Sequence, residues 1–143
     1  MIKFKVLSIN ISEEKGQKKN PVKYADFKKD YGILDDAHAG NWHRQVSLLA
    51  QEDIECVIAK GLEIQHGDFA ENITTLGIDM SSLPIGSRLF INEVVLDIRQ
   101  IGKKCHHGCA IYKLIGDCVM PKHGVFAKVL HGGHIEAGDT GYY

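Results

Sequence analysis

Several features are missing from these 143 residues, and each absence removes a class of function. No apolar run approaches the roughly 20 residues that cross a bilayer as a helix. The opening MIKFKVLSIN alternates apolar and polar residues. It has neither a long apolar stretch nor a small-residue cleavage site, so it reads as a strand and not as a secretory signal. Neither sign of charge prevails: 17 basic residues stand against 18 acidic ones, a net charge of −1. A nucleic-acid partner usually leaves a basic footprint. A small basic cluster, Lys15, Lys18, Lys19 and Lys23, reads as a solvated hairpin loop. There is no Walker loop, no G-x-G-x-x-G, no G-x-S-x-G and no H-E-x-x-H, so nucleotide binding and serine hydrolysis have no support. No internal repeat, linker or low-complexity tract divides the chain. The expectation is one domain over residues 1–143 with one core, cytoplasmic, with no nucleic acid and no membrane as partner.

What is present is mostly strand. After residues 2–11, a charged turn leads to a return strand at 22–25, and GILDDAHAGNWHRQ reads as a long loop. Residues 46–50 form a short apolar strand. A helix follows over 51–60, with Ile54, Val57 and Ile58 as its apolar stripe, Glu52 and Asp53 at its start, and Gly61 as its stop. Twelve of the fifteen glycines lie from Gly61 onward, a texture of short strands and turns. Residues 87–91 and 94–100 read as a hairpin across Asn92 and Glu93, and 125–130 with 134–137 as another across Gly132 and Gly133. The pattern fits a mostly β fold: a compact β-barrel with one main α-helix.

The chemistry concentrates in QIGKKCHHGCAIYKLIGDCVMP, residues 100–121. Four cysteines are present, Cys56, Cys105, Cys109 and Cys118, and a cytosolic chain is not expected to tie them into disulfides. Cys105 follows Lys103 and Lys104 and precedes His106 and His107. Neighbouring cations favour a thiolate over a thiol, which makes the sulfur a better nucleophile and ligand. Lys-Lys-Cys-His-His is also too polar for a core strand. The spacings C-x3-C and C-x8-C do not match common structural zinc patterns. A zinc site using His106 or His107 stays open, with Cys109 as a metal ligand beside Cys105; alternatively Cys109 or Cys118 is a resolving thiol for a persulfide or disulfide on Cys105, or both simply pack, the reading preferred for Cys118. Two weaker constellations are Asp35, Asp36, His38, Asn41, His43 and Arg44, which can hold a metal, a base or an anion or merely make turns, and HGDFAENITTLGID, where Glu71 and Asn72 follow a Gly-Asp turn with Phe69 as an anchor.

In order and spacing, the stretches GILDDAHAGNWHRQVSLL, GDFAENITTLGI, LPIGSRLFI, the strand entering Gln100-Ile101-Gly102-Lys103-Lys104-Cys105, and a closing IEAGD taken as the last strand resemble the MOSC family, named for the C-terminal domain of molybdenum cofactor sulfurases. The resemblance spans roughly residues 30–140 and is to stand-alone bacterial members. It implies a β-barrel and a reactive cysteine at the position of Cys105. That cysteine would carry persulfide sulfur or bind the molybdenum cofactor (molybdopterin) or molybdate; in some members it coordinates molybdenum in reductases of N-hydroxylated compounds. Asp36 and His38 fall at the family's Asp-x-His position, and Glu71 and Asn72 at its Glu-Asn position. The resulting expectation has Cys105 as the catalytic residue, and Lys103, Lys104, His106, His107, His38, Asp36, Arg44, Glu71 and Asn72 around the cofactor. Cys105 and Cys109 are the candidate metal ligands. Larger members carry an arginine and a proline where this chain has Lys103 and Lys104. The chain lacks the pyridoxal-phosphate domain of full sulfurases, so bound pyridoxal phosphate is not expected. A cysteine desulfurase or a molybdopterin-biosynthesis protein is the expected partner, with a small-molecule ligand. The readings carried forward are a sulfur carrier, a molybdenum-dependent reductase, and a non-catalytic zinc- or molybdate-binding module.

Overall fold

The structure, a computed structural model, describes residues 2–15, 17–102 and 123–143. Eleven strands and one α-helix run in the order β1 (Lys3–Ile11), β2 (Asn20–Val22), β3 (Tyr24–Lys28), β4 (Gly32–Ile33), β5 (Val46–Ala50), α1 (Gln51–Ile58), β6 (Ile73–Leu76), β7 (Arg88–Ile91), β8 (Val94–Ile101), β9 (Val125–His131), β10 (Gly133–Glu136) and β11 (Thr140–Tyr142) among the described residues. Seven strands close on themselves in the order β11-β7-β8-β9-β5-β6-β1, because β1 also pairs with β11 (Lys3 opposite Tyr142, Lys5 opposite Thr140). A closed sheet leaves its barrel strands no free edge. The inward positions are aliphatic: Val6, Ile9, Leu48, Ile73, Leu89, Leu96, Ile98, Val125 and Val129 are all fully buried. At tens of square ångströms each, a side chain sealed in this way contributes on the order of 1.5–3 kcal/mol.

Every barrel pairing is antiparallel except β5 with β6. Parallel neighbours need a crossover, and α1 supplies it. Ile54 and Val57 turn inward onto Leu49, Phe69 and Phe126, a small second cluster outside the barrel. The helix ends earlier than the sequence suggests, at Ile58, which is exposed. Gly61 still provides the left-handed stop, with φ +97° and its N–H on the Ile58 carbonyl at 2.9 Å.

Three strand expectations are corrected. The return strand opposite β1 is β2, and Tyr24–Lys28 is a separate strand that pairs elsewhere. Residues 125–131 and 133–136 do not pair as a hairpin. After Gly132 the chain leaves the barrel, and β10 pairs with β3 in a second sheet of order β10-β3-β4. The cause lies at Gly132, where a Cβ would collide with the Phe27 carbonyl; the backbone there packs directly on β3. Finally, IEAGD is not the closing strand: Ile135 and Glu136 end β10, residues 137–139 turn, and Thr140–Tyr142 closes the barrel. The hairpin of β7 and β8 forms as expected, with Ile91 opposite Val94 and Asn92 at φ +54°. No helix among the described residues is long and apolar enough to cross a membrane, which says nothing of β-barrel spans.

Candidate functional site

The loop between β4 and β5 gathers most of the polar chemistry on one rim of the barrel. Its anchor is a residue the sequence misassigned: Lys19 is not part of a solvated turn but is 2% exposed. Its Nζ lies 2.7 Å from Asp36 Oδ1, 2.9 Å from His38 Nδ1 and 3.1 Å from Ser12 Oγ. Both side chains of the Lys19–Asp36 pair are sealed from solvent. Charges so placed must be paired and hydrogen-bonded to be tolerated, and Asp36 is: it also accepts from the backbone N–H of Ser12 (3.1 Å) and of His38 (3.2 Å). The lysine run disguised this residue because burial is imposed from far along the chain. Lys19 N–H donates to the Gly67 carbonyl at 2.9 Å, and a Cβ at residue 67 would run into the Lys19 carbonyl. Only glycine, here at φ +91°, allows the two backbones to lie that close.

Beyond His38 the same loop turns back on itself. Trp42 Nε1 donates to the His38 carbonyl at 2.7 Å, and the two rings lie nearly parallel with centroids 6.4 Å apart. Arg44 sits over the Trp42 ring at 4.5 Å and faces Phe126 at 5.8 Å; Lys15 approaches Trp42 at 5.0 Å. The Nε of Arg44 is buried and has no hydrogen-bond partner among the described residues. His43 carries the cluster to the end of β8, its Nε2 lying 2.6 Å from Gln100 Oε1. The β8–β9 register slips between Ile98 and Gln100, and such a bulge re-aims the side chain that follows it. Gln100 in turn donates to the Gly102 carbonyl (2.7 Å), and Gly102 N–H reaches the Gly124 carbonyl at 2.6 Å. A cleft lined by Ile11, Ser12, Glu13, Gln17, Lys18, Asn20 and Asp35 opens beside Ser12.

Glu71 and Asn72 lie beneath this rim, both fully buried. Asn72 accepts from Ser47 N–H (2.9 Å) and donates to the Asn10 carbonyl (3.1 Å), which ties β5 to β1. Asn10 donates to the Glu71 carbonyl, and Thr74 donates to Glu71 Oε2 at 2.9 Å. Burial pushes the Glu71 carboxyl above its ordinary range, opposed by backbone N–H groups of residues 67, 69 and 71 and by the Thr74 hydroxyl. These two residues therefore spend their polar atoms inside the protein and support the rim from below. Asp36, His38 and Arg44 are brought together, whereas Lys103, Lys104, Cys105, His106, His107, Cys109 and Cys118 lie outside the described residues. Cys56 is free and exposed on α1. No group of three His, Cys, Asp or Glu side chains able to hold a metal exists among the described residues.

The MOSC domain family model matches residues 35–141, about three quarters of the chain. No curated protein matches significantly. Among solved structures, the YUAD protein from Bacillus subtilis superposes with a TM-score of 0.83 at 21% identity, covering 98% of this chain and 94% of that one. YiiM from Geobacillus stearothermophilus gives 0.71 at 21% identity (95% and 72% covered), and YiiM from Escherichia coli 0.69 at 16% (99% and 69%). At these identities the neighbours speak to the barrel alone. The family match spans the loop of Asp36, His38 and Arg44 and the barrel strands from β5 onward, β1 lying outside it, and on that footing this chain belongs to the MOSC domain family.

Proposed function

We propose that the chain is a sulfur carrier that works through the thiol of Cys105. The observation behind this reading is the rim of Lys19, Asp36, His38, Trp42 and Arg44, continued by His43 and Gln100 to Gly102, three residues ahead of Cys105 in the sequence. In the carrier step, the Cys105 thiolate attacks the outer sulfur of a desulfurase persulfide. One S–S bond forms on Cys105, the donor's S–S bond breaks, and the donor leaves as a thiolate, with no net redox change. Lys103, Lys104 and His106 favour the attacking thiolate, and His107 adds to the positive field. The partner is a cysteine desulfurase of the cytoplasm or a molybdopterin-biosynthesis protein.

The rim also suits a molybdenum cofactor or molybdate, whose phosphate or oxo groups call for cationic donors. Arg44 and Lys15 have no carboxylate opposite them among the described salt bridges, and Lys19, though paired, adds a third cation. These side chains, with His38, would hold the anionic end, and Cys105, with Cys109 as a second candidate, would face the metal. When bound, such a group supplies two-electron redox chemistry, and this favours the reductase of N-hydroxylated compounds as the second reading. Incubation with a cysteine desulfurase and cysteine, followed by intact mass, tests the carrier: 32 Da on the wild type (~one sulfur) and none on Cys105→Ser. No added mass on wild type while a control carrier is labelled rejects it. Molybdenum at stoichiometric level in protein purified without chelator would shift the choice to the reductase.

A further inference from the structure

His43 lies near the end of the β4–β5 loop, and its Nε2 is 2.6 Å from Gln100 Oε1. The orientation of that amide is not open to choice. Gln100 Nε2 is 2.7 Å from the Gly102 carbonyl, which only accepts. Turning the amide over would set two carbonyl oxygens against each other, so Oε1 faces the imidazole. Oε1 also only accepts, and the proton in the 2.6 Å contact therefore belongs to His43 Nε2. It stays there whether the ring is neutral or charged. The proton that comes and goes is the one on Nδ1. Nδ1 meets no hydrogen-bond or carboxylate partner among the described residues. The side chain is exposed, with the Trp42 ring edge-on at 6.2 Å. The charged groups on that same Trp42 ring, Arg44 at 4.5 Å and Lys15 at 5.0 Å, are both cations.

We propose that His43 is the proton acceptor, through Nδ1, for the thiol that carries sulfur, and that Gln100 is the positioning residue that keeps Nδ1 free for it. An amide oxygen holding one imidazole nitrogen while the other serves a thiol is the logic of a base-activated nucleophile. The thiol is Cys105 of the carrier step above, so this half rests on that reading; the tautomer does not. Gly102, where the chain of contacts ends, stands three residues ahead of Cys105 in the sequence, and three residues reach about 11 Å at most. Gly102 N–H is also held on the Gly124 carbonyl at 2.6 Å, so the connection that carries Cys105 starts and ends beside the strand end that His43 touches. The step balances without an added reagent. The S–H bond breaks, its proton goes to Nδ1, and the thiolate attacks the outer sulfur of the donor's persulfide. The donor's S–S bond breaks, its sulfur leaves with the electron pair, and the proton on Nδ1 passes to it.

Long-range proton–nitrogen correlation on the nitrogen-15-labelled full chain reads the tautomer directly, with His43 assigned by the signal lost in His43→Gln. At about pH 8, above the ordinary imidazole range, the expected form carries its proton on Nε2 alone; a proton on Nδ1 overturns the inference. In Gln100→Leu both nitrogens are released and an Nδ1–H population should appear. In Gln100→Glu, which keeps an acceptor, the single form should return. A pure Nε2–H form in the first variant, or a mixture in the second, removes Gln100 as the cause. The base is read from thiol chemistry without a desulfurase. Alkylation by iodoacetamide at neutral pH, followed by peptide fragment mass, gives the rate at Cys105, with the exposed Cys56 on α1 as a reference in the same chain. His43→Gln should slow Cys105 by about tenfold or more and leave Cys56 unchanged. An unchanged Cys105 rate, or equal slowing at both cysteines, rejects His43 as the proton acceptor. A wild type that alkylates as expected yet takes no sulfur from a desulfurase refutes the carrier and leaves His43 as the base of this thiol.

Discussion

At the scale of single residues, the rim is built by groups that only function in pairs. Lys19→Met leaves Asp36 charged and sealed from water, which should cost about 3–5 kcal/mol, seen as a lower urea midpoint. Adding Asp36→Asn removes the stranded charge and should restore most of that loss. If the single variant is as stable as the wild type, the pair is not buried as described. Glu71 behaves differently. Burial raises its carboxyl above the ordinary 4.5, so the folded protein holds this proton where the unfolded chain has released it. Stability therefore falls as pH rises from about 4.5 through the raised value and is flat below. Glu71→Gln should remove that slope from the urea midpoint measured across this range; parallel slopes for both proteins would contradict the assignment. The sequence made Asp36, His38 and Arg44 legible because their residue types are unusual for one loop. Lys19 was not legible: four lysines close together look alike in a string, and the burial of one of them is decided by a glycine 48 positions later.

At the scale of elements, turns and bulges aim the site. Gly67 lets the segment before β6 lie against Lys19, with φ +91° and no room for a Cβ. Gly67→Ala combines backbone strain with a clash against a main-chain carbonyl, and about 2–4 kcal/mol of destabilisation is expected. Because the damage falls on the Lys19 backbone, Trp42 emission should shift as well; a variant with native stability and native emission would show that the contact is dispensable. The β7–β8 hairpin was readable because strict alternation flanks a two-residue turn, where Asn92 accepts a positive φ. The same logic failed for β9 and β10, since a Gly-Gly pair permits a hairpin but equally permits a direct backbone contact with β3, and the packing at Phe27 selected the second. In that outer sheet His134 bridges Asp26 (2.8 Å) and Glu136 (3.4 Å), and those carboxylates raise its pKa. Its contribution to holding β10 on β3 is present below pH 6.5 and fades as pH rises through the raised value.

At the scale of the whole molecule, the barrel is sealed where β1 meets β11, and Gly141 faces the ring of Phe4 across that seam. A methyl group at 141 would press into the ring, so Gly141→Ala should cost about 1–3 kcal/mol and lower the melting temperature. A neutral result would mean that the seam has slack. The fold class was legible from short strands, frequent glycines and a lone helix, whereas the closing strand was not: Thr140-Gly141-Tyr142 is too short to signal itself and gains its identity from the partner strand. That seam has a further consequence for how the protein comes into being. Because β1 stays one neighbour short until β11 arrives, the ring cannot be completed in step with synthesis. The first and last strands of the barrel must find each other late, so folding should be slow for its size, and the ring should close only after Thr140–Tyr142 have left the ribosome.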